Sequence, residues 1–160
     1  MVDRAIRTMF AAAFALALTL AWAAPSAADE IDGVIRFKSA YGMDETIARI
    51  KQDVAQKGIM FFDEIKQSEL AAEAGIKLNP STLLVFGNPP LGTLFLTSNP
   101  DAGLDWPVRL LVRQEESGAV WVAYTDFGWI ARRHNIKDRD AQFNMATTVV
   151  KSITSTITSK

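Results

Sequence analysis

Residues 108–125 read VRLLVRQEESGAVWVAYT, and this stretch decides the fold class. Val108, Leu110 and Val112 alternate with Arg109, Leu111 and Arg113. Val120, Val122 and Tyr124 then alternate with Trp121, Ala123 and Thr125. Successive side chains of a strand point to opposite faces, so a period of two predicts strands over Val108–Gln114 and Ala119–Thr125, each with one face toward the core. Glu115, Glu116, Ser117 and Gly118 join them at hairpin length. A hairpin accompanied by segregated helices means an α+β fold rather than a doubly wound parallel sheet.

Upstream, Leu83–Phe86 is a short, wholly apolar strand. Gly87, Asn88 and Pro89 make a sharp strand-to-helix turn, with Asn88 as cap and Pro89 at the first helical position. That helix carries Leu91, Leu94 and Phe95 and stops at Asn99-Pro100, and Asp101–Pro107 reads as a loop. Ile31–Lys38 and Ile59–Ile65 are two further strands. Between them Met43, Ile47, Ile50 and Val54 recur at helical spacing, with Asp44 and Glu45 in the first turn and Gly58 as the stop. Ser68 is positioned to cap a short helix Glu69–Ala74.

Downstream, a short helix Phe127–Arg133 ends around His134 and Asn135. Asp138 is the expected cap of a long C-terminal helix. Here two signals conflict. Thr147–Thr158 is crowded with Thr, Val and Ile, which favour strands. Yet Phe143, Ala146, Val150, Ile153 and Ile157 repeat at steps of three and four, and the spacing predicts a helix.

Composition narrows the chemistry. The chain has 160 residues, 49% hydrophobic and 22% charged, with a net charge of −1. Near-neutrality argues against a general nucleic-acid binder. There is no Cys, which removes disulfides, thiol catalysis, iron–sulfur clusters and Cys-based zinc sites. There is one His, so no two-histidine site can be built within one chain. No phosphate loop, dinucleotide fingerprint or nucleophile elbow occurs, and no metal or cofactor is expected.

Residues 1–28 read as a signal peptide. Arg4 and Arg7 precede an uncharged run of 17 residues from Thr8 to Ala24, and Ser26-Ala27-Ala28 follows Pro25. Small residues at the positions a signal peptidase reads predict cleavage before Asp29, with a cut after Ala23 as the second choice. An uncleaved anchor is the alternative, and 17 residues lie at the short end for spanning a bilayer. Cleavage leaves 132 residues at net charge −2 as one domain, 29–160, in the periplasm or outside the cell, free of the membrane.

Phe86-Gly87-Asn88-Pro89, Gly92-Thr93, Asn99-Pro100, Leu104-Asp105-Trp106-Pro107, Val120-Trp121-Val122-Ala123-Tyr124 and Arg133-His134 together resemble the domain of unknown function 302 family. The resemblance covers roughly residues 31–160. It implies a β-α-β(4)-α sheet with helices packed on one face, and a homodimer. The family has no established activity. Its members often carry a His where this chain has Gln67, so a paired-histidine site is not expected here.

The candidate binding residues are Asn88, Trp106, Tyr124, Asp126, Arg133 and His134; none is assigned as catalytic. His134 near Tyr124 and Asp126 could act as a base or ligand contact at neutral pH, or simply end a helix where its charge suits the dipole. Asn88 could orient a ligand or only cap its helix. Trp106 and Trp121 could line a cleft or fill the core. Arg109, Arg113, Arg132 and Arg133 would suit a small anion if the fold gathers them, and are otherwise solvated. The leading expectation is an exported, non-enzymatic module that binds a small molecule or an envelope protein. The alternative is a cofactor-free enzyme using Tyr124, Asp126 and His134, with Arg133, in acid–base roles. Convergence of Tyr124, Asp126 and His134 in an open cleft separates the two.

Overall fold

The structure is a computed structural model that describes residues 33–158. The expected leader, and the first two residues of the strand read from Ile31, lie outside the described residues. The strands are β1 (Val34–Lys38), β2 (Met60–Ile65), β3 (Ser81–Gly87), β4 (Val108–Gln114) and β5 (Val120–Thr125). The α-helices are α1 (Met43–Gln56), α2 (Gln67–Glu73), α3 (Pro89–Ser98), α4 (Phe127–Arg133) and α5 (Asp140–Thr158). The expected β-α-β(4)-α order is therefore the observed one, with short helices inserted in the connections.

The sheet is antiparallel at every pairing, in the order β1-β5-β4-β3-β2. Strands β2 to β5 meander as neighbours. β1 returns to the far edge beside β5, so α1 must cross the sheet, and it packs against β4 at the centre. On the covered face Leu84, Leu110, Val112 and Val122 are fully buried against Ile50 and Val54 of α1 and Ile153 and Ile157 of α5. Each such side chain contributes roughly 1.5–3 kcal/mol by leaving water. The hairpin alternation decides which residues these are: Leu110 and Val112 point in, whereas Arg109 is exposed.

The strand-forming residues of α5 stay helical for a visible reason. Phe143, Ala146, Val150, Ile153 and Ile157 are all buried, so the stripe faces the sheet. The Thr hydroxyls fold back onto the helix: Thr147 donates to the Phe143 carbonyl at 2.9 Å and Thr154 to Val150 at 3.0 Å. Their polar groups are thus satisfied inside the helix itself.

Four local expectations are corrected. The expected loop Asp101–Pro107 is overlapped by a 3-10 helix, Pro100–Leu104, nucleated by Asn99, whose Oδ1 accepts from the Asp101 N–H at 3.0 Å. Asp138 does not cap α5, which begins two residues later; its carboxylate accepts from Ser98 at 3.0 Å and ties the loop to α3 instead. Ser68 lies inside α2 rather than before it, and its hydroxyl accepts from the Ser81 N–H at 3.3 Å. β3 is longer than its apolar run, because Ser81 and Thr82 are buried at its start and pair with β4.

Among the described residues the second sheet face has no layer comparable to α1 and α5. Val34, Leu83, Val85, Leu111 and Trp121 are half-buried there, interleaved with Arg36, Arg109 and Arg113.

Candidate functional site

Two features share the end of the sheet where β3 finishes and β4 begins. The first is a buried carboxylate. Asp105 follows the 3-10 helix, and its side chain is only 4% exposed. Its oxygens accept from Nε2 of His134 at 2.6 Å, from Nη1 of Arg133 at 3.1 Å and from Nη2 of Arg109 at 3.2 Å. An unpaired buried carboxylate would be costly, and this one has three donors, two of them permanently charged.

His134 is the C-terminal cap residue of α4 and is 7% exposed. Its backbone carbonyl accepts from Nδ2 of Asn99 at 2.9 Å, so one asparagine holds both the 3-10 helix and the end of α4. Beside them, Trp129 lies under the Arg133 guanidinium at 5.4 Å. Gly33, at φ +77°, lets that indole approach: a Cβ there would sit 2.3 Å from Cγ of Trp129.

The second feature is an apolar cavity of about 350 Å³ between the covered sheet face, α3 and α5. Phe86, Phe95 and Phe127 form its buried floor. Leu91, Trp106 and Val149 form walls, and exposed Lys57, Asn88 and Met145 form the rim. Lys57 is paired with Asp53 at 2.7 Å. The position of Trp106 depends on Gly92, in the middle of α3, where a Cβ would fall 1.6 Å from the indole Nε1.

The six candidate residues thus divide. Asn88 and Trp106 lie on the cavity, and Asn88 also caps α3 by accepting from the Leu91 N–H at 3.2 Å. Arg133 and His134 join on Asp105. Asp126 caps α4, its Oδ1 accepting from the Trp129 N–H at 2.7 Å. Tyr124 is 4% exposed and its hydroxyl has no hydrogen-bond partner among the described residues. Burial, and then the Asp126 charge, push its phenol up to about 12. The convergence of Tyr124, Asp126 and His134 that the enzyme alternative requires is not found: His134 meets Asp105, and Asp126 serves the backbone.

Of the four arginines, Arg109 and Arg133 come together, whereas Arg113 pairs with Glu115 at 3.3 Å and Arg132 lies exposed on α4. Gln67, the position of the missing family histidine, accepts from the Ser81 hydroxyl at 2.8 Å. Sequence reasoning missed Asp105 as the hub. Its signal was a lone carboxylate inside the apolar run Leu104-Asp105-Trp106-Pro107, a setting in which an acid needs partners.

Residues 35–158 match the family model described as domain of unknown function DUF302. The chain belongs to this family. A crystal structure of an uncharacterized conserved DUF302 protein from Bacillus stearothermophilus shares the fold at a TM-score of 0.65. It is 22% identical, over 78% of this chain and 95% of that one. Among curated relatives, the chain is 35% identical over 113 residues to proteins named fluoride-specific ion channel FluC 1 from Brucella suis and Brucella abortus. The match takes 70% of this chain and 44% and 42% of those proteins, so it spans less than half their length. The DUF302 assignment accounts for the sheet order and helix placement and carries no biochemical activity with it.

Proposed function

We propose that this DUF302 protein is an exported, non-enzymatic module that binds a small, largely apolar molecule with one polar end. The observation that carries the reading is the cavity under Trp106. Its volume of about 350 Å³ lies within the range of small-molecule sites, and polar groups occur chiefly at its rim. At roughly 30 Å³ per solvent-sized group, it holds about a dozen non-hydrogen atoms. An apolar body would meet Phe86, Phe95, Leu91 and Val149, and a polar end would reach Asn88 or the Lys57–Asp53 pair.

The acid–base alternative draws no support from the geometry. His134 is buried on Asp105, and Asp126 is engaged as a helix cap. The channel name belongs to proteins more than twice as long as the matched segment, so the reading rests on this chain's own cavity. Export is supported by the arrangement of Arg4, Arg7 and Ser26-Ala27-Ala28.

A homodimer, which the family resemblance implies, is the companion proposal.

Native mass spectrometry of protein recovered from its own cell envelope tests all three parts. The expected species is a dimer lacking residues 1–28 with one small molecule per chain. A full-length monomer carrying nothing contradicts the reading.

A further inference from the structure

Asp105 holds two guanidinium groups side by side without using up their hydrogen-bonding capacity. Arg109 donates to Asp105, and to the Leu104 carbonyl at 2.7 Å, through Nη2 alone. Arg133 donates through Nη1 alone. Nε and Nη1 of Arg109, and Nε and Nη2 of Arg133, have no hydrogen-bond partner among the described residues. Both side chains are nearly half exposed, at 48% and 44%, whereas the carboxylate between them is 4% exposed. One negative charge therefore sits beneath two positive ones, and the cluster presents net positive charge outward.

The outward side is concave. A depression of about 420 Å³ opens over β4 and β5 on the uncovered sheet face, with Arg109 and Arg133 both on its wall. Its floor is apolar: Leu83, Leu111 and Ala123, with Val34 and the Trp129 ring at one side. A guanidinium already anchored through one nitrogen is pre-oriented, so less side-chain freedom is lost when a ligand arrives. Fixed guanidinium forks match a planar carboxylate in two parallel hydrogen bonds. The apolar floor adds a preference that a bare inorganic ion could not use.

We infer that Arg109 and Arg133, held by Asp105, form a binding site for a small organic carboxylate whose apolar body lies on Leu111 and Ala123. This site is separate from the cavity under Trp106, which lies on the covered side of the sheet, and it stands or falls independently of that reading.

The test is a titration of the protein with sodium benzoate, read at the arginine side-chain ¹⁵Nε resonances by NMR. Sodium phosphate and sodium chloride are the parallel arms. The expected result is saturable movement of the Arg109 and Arg133 signals with benzoate and weaker, non-saturating movement with the other two salts. Arg133→Lys keeps the charge on Asp105, and with it the fold, but loses the fork. It should weaken benzoate binding by about tenfold or more at unchanged melting temperature. Arg113→Lys, at the other end of β4 from Arg109, should leave the curve unchanged. No saturation with benzoate, equal curves for wild type and Arg133→Lys, or tighter saturation by phosphate would each overturn the site. So would an Arg133→Lys effect confined to the monomer–dimer equilibrium, which would make the cluster a subunit contact.

Discussion

Tyr124 shows how a single residue can be misread from its neighbours in sequence. Lying two positions before Asp126 and ten before His134, it invites an acid–base assignment. Instead it points into the core, stacked on Phe37 with ring centroids 6.1 Å apart. Its phenol, at about 12, lies above the ordinary 10.0 because burial opposes the charged form and Asp126 repels it. The neutral phenol is thus favoured by the folded state. That contribution is complete below pH 10 and is lost as pH rises toward about 12. Two pH units correspond to at most about 2–3 kcal/mol. Tyr124→Phe should therefore match or exceed wild-type stability at neutral pH, since no described partner is orphaned, and should lose less between pH 10 and 12. Urea denaturation across that interval checks it, and parallel declines for the two proteins would contradict it. The sequence offered no way to see this, because alternation assigns Tyr124 to a face but does not reveal what surrounds its hydroxyl. Asp126 was legible only as an acid near a histidine. Its role follows from the helix beginning at Phe127, whose first N–H groups need an acceptor.

At the scale of elements, Gly92 carries the clearest consequence. A glycine inside a helix normally weakens it, and Ala would be better by roughly 1 kcal/mol on propensity alone. In α3 the order should reverse, because the added Cβ would collide with the Trp106 indole. Gly92→Ala should destabilise by about 1–3 kcal/mol, the usual range for overpacking. The second substitution in Gly92→Ala/Trp106→Leu should recover most of that loss relative to Trp106→Leu alone. Thermal or chemical denaturation of the four proteins measures the coupling, and additive effects would show that the indole does not set the requirement. The elements themselves were largely readable. Period-two alternation located β4 and β5, and the three–four stripe in α5 outweighed the strand preference of its Thr, Val and Ile residues. What sequence could not supply was contact between distant segments. Asp138 looks like a cap until Ser98, forty residues earlier, is seen to bind it. Asp105 lies in a predicted loop, and its partners at positions 109, 133 and 134 become neighbours only when β4, β5 and α4 close that end of the sheet.

At the scale of the whole molecule, the antiparallel sheet separates two environments. Helices α1 and α5 cover one face and leave the apolar cavity beside α3, whereas the other face is left open by the described residues, with the paired arginines at its end. The fold class was legible because a hairpin with segregated helices admits few arrangements. The cavity was not, since Phe86, Phe95, Phe127 and Trp106 read equally well as close-packed core. Whether that space receives a ligand is the central claim, and a calorimetric titration with 1-octanol tests it most directly. The probe is apolar with one polar end, and being neutral it does not report on the arginine site. Val149→Trp places an indole into the cavity wall at a half-buried position of α5. The account predicts saturable one-to-one binding to wild type and at least about tenfold weaker binding to a Val149→Trp protein with native circular dichroism. Absence of binding to wild type, or equal binding by both proteins, would contradict it.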